Sequence, residues 1–275
     1  MTTYIYTIIA PPGSLSSSAE GINDLGQVVG EFTDSSGEHG FLYSNGIYTI
    51  VVPPGSTGAH LSDINNSGQI TGWYGGSGFL DTGGVFTTIN PPGSFNTHPL
   101  SVNDSGQVVG YYFDSIGEHG FLYSAGTYTT LDLPTGNGYF TVAYDINNSG
   151  QIVGYGFGSD AQHGFLYSEG VYTMIDPPVS GSTGTYAIAI NASAQIVGFY
   201  GDSSNHNHSF LYSGDERQGQ CRPQFYRKVN RFGGKRRFVR WRHALCRKRK
   251  QDIDRWKRQR LLDCGQQRYS DRWRW

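Results

Sequence analysis

One unit of 38 to 44 residues recurs five times between residues 5 and 213, and this repetition constrains the fold more than any other feature. Its first landmark is an Asn turn followed by Gln and a short apolar run. The second is Phe-Leu-Tyr-Ser or a variant, and the third is a segment such as Ile-Tyr-Thr-Ile. The first landmark occupies residues 22–30, 64–72, 102–110, 146–154 and 190–198. Such a pattern predicts a fold in which copies of one small unit pack against each other.

The landmarks predict β-strands. Segments such as "GQIVGYG" and "GVYTMID" are rich in β-branched and aromatic residues, and Gly, Pro, Asn or Ser bound them. A further strand fits before each Asn turn, as in "AHLSDIN" and "TYAIAIN". Four strands in about 42 residues correspond to one propeller blade. Residues 1–213 are therefore predicted to form an all-β, five-bladed β-propeller, and an open β-solenoid is the alternative.

The order of the landmarks also predicts how the propeller closes. An unpaired third landmark stands at residues 5–9, and the fifth unit lacks its own third landmark after "HSFLYS". We expect the N-terminal strand to complete the last blade. A closed ring would leave no long sheet edge exposed.

The repeat resembles the HAF repeat, a bacterial extracellular family named for a His-Ala-Phe tripeptide. The corresponding tripeptides are His-Gly-Phe or His-Ser-Phe in four units, and Ser77-Gly78-Phe79 in the second unit. Their histidines are His39, His119, His163 and His208. The resemblance covers most of residues 1–213 and implies an extracellular location, but no activity.

The charge of the chain changes abruptly after Ser213. Residues 1–213 carry 16 Asp and Glu and no Lys or Arg, whereas residues 214–275 carry all 21 Lys and Arg and all three Cys. We infer a boundary between a repeat domain, 1–213, and a basic tail of low order, 214–275, which we expect to be disordered. Without basic residues, the repeat domain is not expected to bind nucleic acid.

The tail has the composition of glycine-rich codons translated out of frame. Because Trp is encoded only by TGG, a shift of one base turns each tail Trp codon into a Gly codon. Residues 240–250 and 253–275 then allow strings that resemble the RTX nonapeptide, Gly-Gly-x-Gly-x-Asp-x-Leu-x. The resemblance implies a frameshifted segment that once formed a Ca²⁺-binding β-roll. Taken literally, the tail is instead a candidate nucleic-acid-binding arm.

The sequence also gives expectations about location and assembly. It has no run of about 18 apolar residues, so no membrane span is expected. The start, "MTTYIYTIIAPPGS", lacks the basic region and cleavage site of an N-terminal signal peptide. RTX proteins resemble type I secretion substrates, whose signal is C-terminal, and this implies export by that route. We expect a monomer.

Two of the Asn turns match the first half of a Ca²⁺-binding loop, D-x-[DN]-x-[DN]-G, with Ser at the fifth place. The candidate ligands are Asp63 with Asn65 and Asp145 with Asn147. The bidentate Glu at the twelfth place is missing, because Tyr74 and Gly156 stand there. Plain β-turns are the alternative interpretation. The main Ca²⁺ site is expected in the lost RTX region.

The four histidines of the tripeptides are a candidate ring of metal ligands. A metal would need their imidazoles within about 2 Å of one point. Residues on separate blades meet only near the axis, and we expect the strand before the Asn turn to line that axis. The alternative is a structural His at the start of each strand.

No catalytic motif is present: there is no Gly-x-Ser-x-Gly, no His-Glu-x-x-His and no phosphate-binding loop. The repeated Asn and Gln are expected to bridge turns and neighbouring blades. The predicted function is a secreted bacterial binding or adhesion module whose partner is a glycan or a cell-surface protein. A glycan hydrolase or lyase is the alternative, which an asymmetric pair of carboxylates would support.

Overall fold

A computed structural model describes residues 5–134, 140–158, 161–179 and 181–214, and the backbone of residues 227–232 and 235–240. The chain divides into two compact units, Met1–Gly214 and Asp215–Trp275. All regular secondary structure of the described residues is β-strand, which confirms the predicted class. Among these residues there is no helix with the length and hydropathy of a membrane span.

The first unit consists of five groups of antiparallel strands, one for each repeat, and each group is one blade; the first three are separate sheets, and the last two belong to one seven-stranded sheet. Blade 1 contains β1 (Ser16–Ile22), β2 (Val28–Asp34), β3 (Gly37–Ser44) and β4 (Ile47–Val51). Blade 2 contains β5 (His60–Ile64), β6 (Gln69–Tyr74), β7 (Ser77–Thr82) and β8 (Val85–Ile89). Blade 3 contains β9 (Asn96–Val102), β10 (Val108–Phe113), β11 (Glu118–Ser124) and β12 (Thr127–Leu131).

The last two blades are joined by one parallel residue pair, Gln162 with Gly184. Blade 4 contains β13 (Thr141–Ile146), β14 (Ile152–Phe157), β15 (Gln162–Ser168) and β16 (Val171–Met174). Blade 5 contains three strands, β17 (Gly184–Ile190), β18 (Gln195–Gly201) and β19 (Asn207–Ser213). In every blade each strand pairs with the next strand along the chain, which is the strand order of a propeller blade.

The Asn of each turn stabilises its own turn and also contacts the next blade. Asn65 Oδ1 accepts hydrogen bonds from the N–H groups of Ser67 at 3.0 Å and Gln69 at 2.9 Å. Its Nδ2 donates to Gln69 Oε1 and to the carbonyl oxygen of Asn103 in the next blade, both at 2.8 Å. The turn also requires a residue with positive φ, which is Gly68 here, at 75°. The predicted bridging role of the repeated Asn is thus present in the structure.

Hydrophobic side chains fill each junction between successive blades. At the first junction, Val29 and Val51 of blade 1 pack with Leu61, Ile64 and Phe79 of blade 2. The second, third and fourth junctions each contain an equivalent cluster. Because each cluster takes side chains from two blades, the core of this unit is a series of contacts between neighbours.

The N-terminal segment does not complete blade 5, contrary to the prediction. Residues 5–9 form no strand, and Tyr6 is 92% exposed. The segment is held beside blade 1 instead, because Ser17 Oγ donates to the carbonyl oxygen of Ile9 at 3.1 Å and Tyr48 Oη accepts from Ala10 N at 2.9 Å. The outer edge of β19 is therefore unpaired within the described residues.

The second unit contains one described hairpin, β20 (Arg227–Phe232) paired with β21 (Lys235–Arg240). The predicted disorder of the tail is wrong for these two strands. A Gly-Gly pair separates them in the sequence, and such a pair is typical of two-residue hairpins. Residues 241–275, with most of the predicted out-of-frame RTX segment, lie outside the described residues.

Candidate functional site

A cavity of about 430 Å³ lies where the first strands of all five blades come together. Strands β1, β5, β9, β13 and β17 all contribute to its wall, in agreement with the expectation that the strand before the Asn turn lines the axis. Each contributes the residue three places before its turn Asn. These residues are Glu20, Ser62, Leu100, Tyr144 and Ile188.

A β-bulge explains why these five side chains line the cavity. The pairing register shifts once in each first strand, for example between Leu61 and Asp63, so that Ser62 has no partner on β6. The same shift leaves Glu20 and Tyr144 unpaired in their blades. A bulge turns its extra residue out of the regular alternation of side chains. The repeat thereby directs one side chain from every blade toward the axis, and the residue type at this place differs from blade to blade.

Two carboxylates and one hydroxyl from three blades meet in the wall of this cavity. Ser101 Oγ lies 3.0 Å from Asp63 Oδ2 and 2.9 Å from Asp145 Oδ1. A hydroxyl has one hydrogen, so it donates to only one of the two carboxylates. A hydrogen bond at the other contact requires a protonated carboxyl group.

Burial raises the pKa of Asp63 to about 6, against the hydrogen bonds from Val102 N, Ile64 N and Ser101 that lower it. The neighbouring Asp145 raises it further, since a second negative charge disfavours ionisation. Asp63 therefore keeps its proton to a higher pH than an unperturbed aspartic acid does. The two carboxylate oxygens of Asp63 accept hydrogen bonds from the backbone N–H groups of Ile64 and Val102, and these bonds fix the side chain in place.

Glu31, Glu38 and His60 form a cluster at the side of the cavity that blades 1 and 2 supply. His60 Nδ1 lies 2.6 Å from Glu31 Oε2 and 3.4 Å from Glu38 Oε1. One ligand atom from each residue lies within 4.8 Å of the others, and no second group of this kind occurs among the described residues. Two carboxylates and an imidazole are ligand types that suit a divalent cation such as Zn²⁺.

A row of aromatic rings runs from His60 through the later blades. His60 stacks on Trp73 with ring centroids 3.9 Å apart, and His98 makes an edge contact with Trp73 with centroids 4.5 Å apart. The row continues from His98 to Tyr111 at 4.8 Å. In blades 4 and 5, Tyr155, Tyr186 and Phe199 form a second part of the row, at 4.9 and 4.5 Å.

This row consists largely of uncharged side chains at neutral pH. Burial lowers the pKa of His98, with a further contribution from His60. Burial also raises the pKa of Tyr155 to about 12, with neighbouring Tyr144 adding to the effect. Blade 1 interrupts the row, because Glu31 stands at the place that Trp73, Tyr111 and the later aromatics occupy.

The predicted Ca²⁺ ligands Asp63, Asn65, Asp145 and Asn147 all line a second cavity, of about 220 Å³, beside the Asn turns. The Oδ1 atoms of Asn65 and Asn147, however, each accept two backbone N–H groups of their own turns. Their Nδ2 groups reach the next blade. These contacts match the alternative interpretation as β-turns, and a Ca²⁺ site at these residues stays a prediction.

The four histidines of the tripeptides are not brought together among the described residues, since none belongs to a converging group of ligands. Each pairs with an Asp of its own blade. The pairs are His39–Asp34 at 3.2 Å, His119–Asp132 at 3.0 Å, His163–Asp176 at 2.8 Å and His208–Asp202 at 2.9 Å. His119 also lies 3.3 Å from Asp114. This arrangement favours the structural role over the ligand ring.

Sequence reasoning missed Glu20, Glu31, His60 and Trp73. The available signal was variation within the repeat: the place after the second-strand glycine holds Glu31 in blade 1 and an aromatic residue in the others. The place of Glu20 holds Ser, Leu, Tyr or Ile elsewhere. Places that differ between otherwise similar units mark side chains that the common fold does not require.

Comparisons with known proteins do not assign the chain to a family, because no family model and no curated protein matches it. Its structure is similar to that of virginiamycin B lyase from Staphylococcus aureus, with 14% identity, a TM-score of 0.45, and 74% of this chain and 72% of that chain covered. It is similar to a mutant of AofleA from Arthrobotrys oligospora, with 12% identity, a TM-score of 0.45, and 77% and 73% covered. It is also similar to a mutant of Aleuria aurantia lectin in complex with α-methyl-L-fucoside, with 12% identity, a TM-score of 0.40, and 73% and 74% covered. Likenesses at this level carry no information about activity.

Proposed function

We propose that this propeller is a binding module that takes a neutral glycan in its axial cavity. The observation that carries the proposal is the composition of the wall, where Glu20, Glu31, Asp63 and Asp145 surround a space that also holds Tyr144. Carboxylate oxygens accept hydrogen bonds from sugar hydroxyl groups. Tyr144 is 41% exposed, so part of its ring is open to the C–H face of a sugar. The volume of about 430 Å³ lies within the range of small-molecule sites.

The charge of the wall argues against an anionic ligand. Residues 1–213 contain no Lys or Arg, and four acids line the cavity. A cleft lined by one sign of charge repels ligands of the same sign. Neutral sugars and amino sugars fit this potential, whereas phosphorylated or uronic-acid sugars do not.

The test is a glycan array probed with the full chain, followed by calorimetric titration of the best neutral oligosaccharide. Glu31→Gln is expected to weaken binding by about tenfold or more, since a hydrogen bond to a charged group contributes about 1.5–3 kcal/mol. Tyr144→Ala removes the ring that faces the sugar and is also expected to weaken binding. Glu169→Gln, in the exposed turn between β15 and β16, is the matched control and is expected to bind like the wild type. Binding restricted to anionic glycans, or equal losses in Glu31→Gln and Glu169→Gln, would contradict the proposal.

A hydrolase or lyase acting on a glycan is the second candidate, and the pair Asp63 and Asp145 favours it. A carboxyl group that keeps its proton up to about pH 6 beside a second carboxylate is a combination that acid–base catalysis uses. If the array ligand is cleaved, chromatography of the products over time will show it. Asp63→Asn should then stop cleavage while weakening binding no more than Glu31→Gln does. A ligand that is bound and recovered intact assigns the cavity to binding alone.

We also propose that the protein is extracellular, acts in adhesion, and once carried a Ca²⁺-binding RTX roll after the repeats. The resemblance to HAF repeats and the abrupt change of composition after Ser213 support this. The experiment is to resequence the gene from the codon of Phe210 onward. A one-base insertion or deletion followed by RTX repeats in the shifted frame is the expected result, and a verified frame without such repeats would refute it.

A further inference from the structure

Every junction between successive blades uses the same hydrogen bond. The turn Asn of one blade donates from Nδ2 to the carbonyl oxygen of the turn Asn in the next blade. The four bonds are Asn23 to Asn65 at 3.0 Å, Asn65 to Asn103 at 2.8 Å, Asn103 to Asn147 at 3.2 Å and Asn147 to Asn191 at 3.1 Å. The junction is thus a repeated interface with a fixed direction: each blade has a donating face and an accepting face.

The two faces of a junction also bury one side chain each. On the accepting face it is the last residue of the first strand, and Ile64, Val102, Ile146 and Ile190 are at most 8% exposed. On the donating face it is the residue before the second-strand glycine, which is apolar in Val29, Val109 and Val153 and polar in Thr71 of blade 2, and all four are 0% exposed. Neighbouring blades therefore fit together through matched apolar surfaces as well as through the Asn bond.

Blades 1 and 5 each expose the half of this interface that the other would need. Ile22 of blade 1, at the place of Ile64, is 69% exposed. Val197 of blade 5, at the place of Val153, is 43% exposed, and the turn residue Asn191 is exposed as well. Within the part of the chain that the structure describes, no strand of blade 1 packs against a strand of blade 5 in the way that successive blades do.

The segment 5–9 lies where a fourth strand of a preceding blade would lie. Tyr48 Oη of blade 1 accepts from Ala10 N, which follows this segment, at 2.9 Å. At the junction of blades 2 and 3, Tyr128 Oη accepts in the same way from Asn90 N, which follows β8, at 3.0 Å. Among the residues that the structure describes, blade 5 has no fourth strand and the outer edge of β19 is open.

We propose that the accepting face of blade 1, together with segment 5–9, binds the donating face of blade 5 in a second copy of this chain. Residues 5–9 then pair with β19 as its fourth strand, Ile22 packs near Val197, and Asn191 Nδ2 donates to the carbonyl oxygen of Asn23. The partner is a second copy because the two faces stay apart within one chain, whereas a second copy reproduces the junction without altering the other four. Such a head-to-tail interface forms a ring of chains if its rotation closes, and a filament if it does not. The inference does not depend on the ligand of the axial cavity.

Sedimentation velocity of the full chain across a wide concentration range tests this interface. The wild type is expected to change from one chain to assemblies of at least two chains as concentration rises. Ile22→Glu and Val197→Glu each place a charge in one half of the interface and are expected to remain single chains at every concentration. Ile47→Glu is the matched control, because Ile47 is 68% exposed but lies on β4, outside the junction faces. It is expected to associate like the wild type.

Mixing the two variants separates association between chains from closure within one chain. The Ile22→Glu chain keeps an intact blade 5, and the Val197→Glu chain keeps an intact blade 1. Their mixture is expected to form two-chain assemblies and nothing larger. The proposal is overturned if the wild type stays a single chain throughout, which would indicate closure within the chain. It is equally overturned if Ile22→Glu associates like the wild type, which would place the contact elsewhere, or if the mixture remains single chains.

Discussion

Ile22 and Ile64 end the first strands of neighbouring blades, yet Ile22 is 69% exposed and Ile64 is 3% exposed. Both side chains precede a turn Asn with the same hydrogen bonds. The difference is that blade 1 packs against Ile64, whereas no blade precedes Ile22 in the described structure. Local sequence forms the blade, and the neighbouring blade decides how much of it is buried. The stability of such an array is a sum of blades and of junctions between them.

The largest expected difference between middle and end blades concerns the Phe of the third strand. Phe121 is 0% exposed in blade 3, so Phe121→Ala should lower the free energy of unfolding by about 3–5 kcal/mol. Phe210, at the same place in blade 5, is half-buried. Phe210→Ala should therefore cost about half as much. Urea unfolding followed by fluorescence measures both, and equal losses would mean that blade 5 is covered as well as blade 3.

The next largest effect is a pH dependence of stability, which is expected to have opposite signs for Asp63 in blade 2 and Asp202 in blade 5. The folded pKa of Asp63, about 6, lies above its unfolded value, so the folded state holds a proton that the unfolded chain has released. The contribution of this proton to the free energy of unfolding is fully present below about pH 3.9 and is lost as the pH rises through about 6. Relative to Asp63→Asn, the wild type should lose on the order of 2–3 kcal/mol between pH 4 and pH 7.

Asp202 of blade 5 should behave in the opposite way. Its pKa is lowered mainly by the hydrogen bond from His208, so its contribution is present above the unfolded pKa and is lost as the pH falls. Thermal melts of Asp63→Asn, Asp202→Asn and the wild type from pH 3 to pH 8 compare the two. A constant difference between Asp63→Asn and the wild type over this range would refute the raised pKa of Asp63.

A smaller contrast is expected between two turn residues, Asn103 and Asn191. Asn103 is 3% exposed and donates to the carbonyl oxygen of Asn147, whereas Asn191 is exposed and donates only within its own turn among the described contacts. Asn103→Ala should cost about 1–2 kcal/mol more than Asn191→Ala, because it leaves buried polar groups without partners. Urea unfolding of a dilute sample measures the difference. Equal losses of stability in the two variants would show that the Asn hydrogen bonds between blades do not contribute to the free energy of unfolding.

The smallest expected effect is a gain in blade 5. Ala194 has a φ of 57° at the place where the other blades have Gly, for example Gly106 at 72°. An L-residue with a side chain is strained in this region, so Ala194→Gly should stabilise the protein by up to about 1 kcal/mol. The reverse change, Gly106→Ala, should destabilise it by at least as much, since the new Cβ would also lie 3.1 Å from Gln69 Oε1. A loss of stability in Ala194→Gly would contradict this account of the turn.

The sequence was sufficient to predict the features that every repeat shares. Strand-forming segments and Asn turns recur in register, so the blade, the axis-lining first strand and the bridging Asn follow from local rules. These local rules do not explain why residues 5–9 and β19 fail to pair within one chain. Both segments have strand sequences, but whether they meet depends on the rotation at four successive junctions, which a sequence pattern does not contain.

The candidate site was only partly predictable for a related reason. The sequence predicts Asp63 and Asp145 as ligands of a turn, yet each follows the bulge residue of its first strand, and both lie in the axial cavity with Ser101 between them. Glu31 and His60 belong to different blades and lie 29 residues apart in the chain. Such pairs form only when the blades are packed, and the one sequence signal for them is that their places vary from unit to unit.

Hydrogen exchange of the backbone amides in a dilute sample tests the central claim most directly, because it reports the stability of each blade separately. The account predicts strong protection of β10 and β11 in blade 3, weaker protection of β2 and β3 in blade 1, and the weakest protection of β18 and β19 in blade 5. It also predicts that protection of β19 rises with protein concentration, as a second copy covers it. Equal protection of all five blades at low concentration would contradict the account, since it would mean that the end blades do not lack a neighbour.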